Sequence, residues 1–132
     1  MFCSVIRRDM SYTILLSDDQ KYIVVTVEGS ITRKIAMQHN LEAHAFGKKL
    51  GIQRYLVDAT QARNTESTLK GYQFAYEDMH ETPEIDRDAR VALLVAPDDH
   101  SHDFIETVSK NAGLDVTLFR DRKSAENHLK KD

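Results

Sequence analysis

The second half of this 132-residue chain runs strand, helix, strand, helix, and no other feature limits the fold so strongly. Residues 90–96 form an apolar run, Arg-Val-Ala-Leu-Leu-Val-Ala, that passes through Pro97, Asp98 and Asp99 towards a helix. Residues 116–119, Val-Thr-Leu-Phe, pass into a helix over 122–131 anchored by Ala125 and Leu129. Strands alternating with helices at this spacing mean a layered α/β domain. Residues 54–59 make a third short apolar strand. It and the 90–96 run lack clean polar alternation, as central strands covered on both faces do.

The first half supplies a hairpin and a helix. Tyr12, Ile14 and Leu16 alternate on one face of a strand, and Ile23, Val25 and Val27 alternate against Tyr22, Thr26 and Glu28 on a second. The five residues 17–21 between them carry turn chemistry, so the two pair antiparallel, with Gly29 as the expected end. Thr32 caps a helix over 34–50, with Met37, Leu41, Ala45 and Lys48 on one side and Gly51 as its stop. Gly47 weakens its last turns. Residues 60–65 read as a polar loop. Asn64 or Thr65 caps a further helix over 66–80, with Leu69, Tyr72, Tyr76, Met79 and His80 on one face. At 100° per residue Phe74 points about 140° away from Leu69. Ser101 is the expected N-cap of the next helix, whose buried stripe is Phe104, Ile105, Val108 and Ala112. The expected architecture is α/β: a mixed five-stranded sheet with an N-terminal antiparallel hairpin and parallel strands, flanked by four helices.

Residues 1–10 read as a tail, because Met10 stands directly before the first strand pattern. They are either an upstream mis-start or a short arm that packs Val5 and Ile6. Residues 11–132 then form one domain, of ordinary size for a single core.

Composition narrows the function classes. Basic and acidic residues number 18 and 21, for a net charge of -3, and are interspersed. No basic stripe suited to phosphates is present, which argues against nucleic acid. Cys3 is the single cysteine, so no internal disulfide is possible, and a reducing, cytoplasmic setting is expected. No apolar run approaches the roughly 20 residues of a membrane span.

Candidate sites are few. Residues 98–103 (Asp-Asp-His-Ser-His-Asp) gather three carboxylates and two imidazoles. Adjacent loop residues rarely converge on one ion, and Ser101 and Asp103 suit helix capping, so no metal and no cofactor are expected. His39 and His44 are five apart, not the three or four that place two ligands on one face. No nucleophile elbow or phosphate loop occurs, so no catalytic residue is assigned. Asp58 closes a central strand, where open α/β sheets gather ligands, but a hydrogen-bonded turn aspartate explains it as well. Gly71 within the 66–80 helix suggests a segment that shifts or approaches another backbone closely.

The order of elements resembles the STAS fold (sulfate transporter and anti-anti-sigma factor), especially the SpoIIAA-like branch related to Sec14-type lipid-binding domains. Residues 27–32 (Val-Glu-Gly-Ser-Ile-Thr), 55–58 (Tyr-Leu-Val-Asp), 90–97 and 118–125 (Leu-Phe-Arg-Asp-Arg-Lys-Ser-Ala) carry the likeness. It implies two kinds of function, neither enzymatic. Sec14-like relatives hold an apolar ligand between helices. Here Tyr72, Tyr76, Met79, Phe104 and Val108 would hold a small hydrophobic molecule or lipid, and the opened surface would suit a membrane face. Anti-anti-sigma members bind a protein partner and switch by serine phosphorylation in an Asp-Ser-Ser-Gly motif. At that place this chain has Thr65, Glu66, Ser67, Thr68 and Leu69, without the flanking aspartate and glycine. The alternative expectation is therefore a regulatory interaction domain using Asp58, Ser67 and Thr68, with a second copy of the chain as a further possible partner.

Overall fold

The computed structural model describes residues 7–8, 12–65, 73–79 and 81–131. They form a mixed α/β structure, one sheet whose strands stand side by side in chain order, with helices on both faces. Strands β1 (Arg7–Arg8), β2 (Tyr12–Leu16) and β3 (Ile23–Ile31) are successively antiparallel. Strands β4 (Arg54–Asn64), β5 (Arg90–Leu94) and β6 (Asp115–Phe119) then add in parallel. The five expected strands are β2 to β6. Within the segment read as a tail, β1 adds a sixth at the edge; residues 1–6 and 9–11 lie outside the described residues.

Among the described residues four helices flank the sheet: α1 (Arg33–Leu50), a π-helix (Phe74–Met79), α2 (Asp103–Asn111) and α3 (Arg122–Lys130). Because side chains alternate across a strand, each strand feeds both layers. Val25, Val57, Leu93 and Leu118 stand in register on one face; Val24, Leu56, Ala92 and Thr117 stand on the other. Right-handed crossovers between strands in sequential order put all three connecting helices on one side. Ala43 of α1 accordingly packs with Val25 and Leu93. On the opposite face α3 buries Ala125 and Leu129 fully against Val24, Leu56, Ala92 and Leu94.

Several elements depart from expectation, each for a physical reason. Strand β3 does not stop at Gly29. It continues to Ile31 with Gly29 at φ 80°, paired with Ala62. Residues 60–64 are not a loop, because β4 runs on beside that extension of β3 and its backbone groups find partners despite polar side chains. Between Thr26 and Glu28 the partner on β4 moves from Asp58 to Gln61. This leaves one extra residue on β4, a bulge. Asp58 therefore lies within the strand and not at its end.

Helix α1 starts as expected, with the Thr32 hydroxyl accepting from the Ile35 N–H at 3.2 Å, and stops at Gly51 in the left-handed region (φ 72°). Its buried residues are His39, Ala43, His44 and Gly47, whereas Ala45 and Lys48 are exposed. The apolar spacing was misleading here because two histidines pack inwards and stay uncharged. Met37 and Leu41 turn instead towards Met79, Ile85 and Leu114. Gly47 has a packing reason: a β-carbon there would collide with the Tyr55 hydroxyl and lie 2.7 Å from the Ile52 carbonyl oxygen.

Helix α2 begins after His102, not after Ser101; the Ser101 hydroxyl accepts from the Asn64 N–H at 3.0 Å and ties the β4 extension down. Phe104 is 40% exposed, so it falls off the expected buried stripe, while Val108 and Ala112 stay buried. Among the described residues no helix is long and apolar enough to cross a membrane.

Candidate functional site: a cavity beneath the π-helix

The three-helix face does not close on the sheet. A cavity of about 110 Å³ remains, with Val25, Val57, Val91, Leu93 and Val116 of the sheet below it. Ala36 and Ala43 of α1, Ile105 of α2, and Phe74 and Met79 of the π-helix complete its apolar wall.

The π-helix follows from hydrogen bonding five residues apart, which places residues i and i+5 on one side. Phe74 and Met79 are such a pair and join one apolar cluster. A 3.6-residue period turns Phe74 outwards, so its inward position corrects the expectation from sequence.

Polar groups of the lining mostly hold the fold together. Arg33 donates from Nε and Nη2 to the two carboxylate oxygens of Asp78, at 2.5 and 2.8 Å. It also reaches Gln73 at 3.0 Å and Glu77 at 3.3 Å. One arginine at the start of α1 thus clamps both ends of the π-helix; its charged form is favoured first by the hydrogen bond to Asp78. Asn40 donates to the Met79 sulfur at 3.3 Å. The His44 Nδ1 accepts from the Asp86 N–H at 2.8 Å, and its ring stacks on Tyr55 with centroids 4.6 Å apart. Burial pushes His44 down to about 4 and Tyr55 up to about 12.

At the α2 end, His102 Nε2 faces the buried Asp99 carboxylate at 3.5 Å. Burial lowers the His102 pKa, against the pull of Asp99. Burial also opposes the charge on Asp99. Hydrogen bonds from Ser101, with the charges of His102 and Arg63, outweigh it and hold the carboxyl below its usual range. Asp99 Oδ1 accepts from the Ser101 N–H at 2.8 Å and from Arg63 at 3.2 Å.

His39 is different. It is 4% exposed and lines the cavity, and its Nδ1 has no hydrogen-bond partner among the described residues. Burial lowers its pKa to about 4, with a hydrogen bond to Asn40 opposing and His44 adding to the fall.

Of the expected ligand residues, Met79 lines the cavity. Val108 packs with Ala112 and Phe104 faces out, so neither is in the lining; Ile105 and Ser109 of the same helix are. Tyr72 and the Tyr76 side chain lie outside the described residues, as do Ser67 and Thr68. Asp58 organises the bulge: its Oδ1 accepts from the Thr60 N–H at 3.0 Å and hydroxyl at 2.7 Å, and Arg122 pairs with it at 3.3 Å. In the 98–103 segment, His100 and Arg120 both pair with Asp103, at 2.9 Å each. Among the described residues no three His, Cys, Asp or Glu side chains gather as metal ligands.

Arg33 was missed from sequence, and His39 and His44 were weighed there only as metal ligands. The signal was present: Ala36, His39, Asn40, Ala43 and Gly47 recur at helical spacing, a stripe of small and neutral polar residues, and small residues facing a sheet leave room. Comparison with family models and with curated proteins found no match to this chain.

Proposed function

We propose that this chain is a non-enzymatic binding module that holds a small apolar molecule in the cavity beneath the π-helix. The observation that carries this reading is the cavity itself, with its valine, leucine, alanine and methionine walls. Ligand sites are typically such concave apolar spaces with a few placed polar groups. The charged groups nearby are spoken for: Arg33 is bound to the π-helix and Asp99 to Ser101, Arg63 and His102. They serve as struts, which favours binding over catalysis. The reading also suits the Sec14-like side of the resemblance, in which a ligand sits between helices. Its scale is smaller: an apolar cavity of about 150 Å³ accepts benzene, so one ring, not a full lipid chain, is the natural occupant.

Toluene titrated into the folded protein tests this. Amide and methyl resonances of Val57, Met79, Leu93 and Ile105 should shift together, with a rise in thermal stability that grows with toluene concentration. Ala36→Leu, which fills the cavity, should suppress both effects while leaving the fold intact. Toluene shifts scattered over the surface, or unchanged by Ala36→Leu, would refute the proposal.

A further inference from the structure

Two histidines of the cavity wall, His39 and His102, each bury a ring nitrogen without a hydrogen bond among the described residues. His39 belongs to the middle of α1, is 4% exposed, and has its Nδ1 buried without a partner among the described residues. Arg33 is bonded to Asp78, Asn40 to Met79 and His44 to Asp86, and the His102 nitrogen at least faces the Asp99 carboxylate at 3.5 Å, whereas the His39 nitrogen faces no such group among the described residues. Tyr12 supplies a tilted aromatic contact with centroids 5.8 Å apart, but its hydroxyl donates to Glu42. A buried nitrogen left unpaired is a standing penalty, and such groups in native proteins mark a water, an ion or a function.

We infer that the ligand is a neutral ring compound carrying a hydroxyl group, with that hydroxyl bonded to His39. This rests on the binding reading above and specifies its ligand class. Three features select it. The volume admits about one ring, by comparison with the benzene-binding cavity already cited. The walls are apolar, so an anionic carboxylate would lose its hydration without a free cation to replace it. A hydroxyl both donates and accepts, so it satisfies the His39 nitrogen in either tautomer of the neutral imidazole. Burial keeps that imidazole neutral at ordinary pH.

The test compares phenol, toluene and benzoate on the unaltered protein and on His39→Leu, by calorimetry or ligand-detected resonance. An apolar cavity alone favours toluene, because phenol gives up a hydrogen bond to water on entry. The unaltered protein should bind phenol at least as tightly as toluene, and benzoate not measurably. His39→Leu should move the phenol-to-toluene ratio towards toluene by about tenfold, the worth of one restored buried hydrogen bond. Toluene preferred by the unaltered protein would overturn the hydroxyl inference and leave the cavity reading standing. Failure of both rings to bind would sink the two together. The ¹⁵N resonance of His39 Nδ1 provides a second readout that needs no variant: it should shift on phenol addition and not on toluene, and a phenol complex without that shift refutes His39 as the tether.

Discussion

Acid should begin to destabilise this protein below about pH 6.5, because α1 buries two neutral histidines. An unfolded histidine takes up its proton near 6.5; in the folded protein burial delays uptake by His39 and by His44 to about 4. The folded state thus binds fewer protons across that interval, and stability falls as pH falls. The contribution is complete above about pH 6.5, declines below it, and is gone below about pH 4. Each shift of about 2.5 units is worth about 3 kcal/mol in the limit, and about 2 kcal/mol has been lost per histidine at about pH 5. Two histidines then remove about 4 kcal/mol, a large part of the roughly 5–15 kcal/mol that holds a domain folded. Burial lowers His102 and His128 as well, which adds in the same direction. Asp19, Asp99, Asp103 and Asp121 are held below their usual 3.8, so their losses come only at still lower pH.

Urea unfolding followed by circular dichroism at a series of pH values separates the two intervals. The urea midpoint should drop steeply from neutral pH to about pH 5, and a His39→Gln/His44→Gln double variant should lose most of that slope. A midpoint that stays level over this range would show that the two imidazoles are hydrated or already charged in the fold.

Gly47→Ala should destabilise by about 1–3 kcal/mol, the usual effect of overpacking, although alanine gains about 1 kcal/mol in helix propensity; Tyr55→Phe should recover part of the loss, since it removes one of the atoms that the new methyl would strike. Leu93→Ala, in the middle of the sheet and on the cavity wall, should lower stability by about 2–5 kcal/mol in chemical denaturation and let the cavity take a larger ring than toluene. Arg33→Ala cuts the clamp on Asp78, a partly exposed pair, so it should lower stability only slightly. Hydrogen exchange across the π-helix should accelerate and ligand exchange should quicken; protection unchanged there would show that the clamp is decorative.

The strand ladder was legible because its signals are local. Val24, Val25, Leu56, Val57, Ala92 and Leu93 lie in short apolar runs bounded by turns, and chain order set their neighbours. Ala125 and Leu129 were equally plain, since α3 has few other apolar residues to bury. The cavity was not legible, for three reasons. Its α1 wall is built from alanine, histidine and asparagine, which no hydrophobic count selects. The polar residues of the β4 extension read as loop because their backbone partners, Glu28 to Ile31, are distant in sequence. The π-helix breaks the 3.6-residue period on which the placement of Phe74 relied. Met79 could be named from sequence because its inward position is the same in either kind of helix.

The cavity has a cause in the topology. Strands in a sheet are about 4.8 Å apart, whereas packed helices need 8–10 Å between axes. Sequential order from β3 to β6 assigns three crossovers to one face, each spanning a single strand spacing. The strands that α1 and α2 follow are two spacings apart, about 10 Å, so an element between the two helices has little width on the sheet. Among the described residues the middle crossover contributes a π-helix of six residues that packs on α1 and α2. Held up there by Arg33, it roofs the space over Val57 and Leu93 without filling it. A cavity at this position follows from strand order and helix width, and the side chains of α1 set the chemistry of its wall.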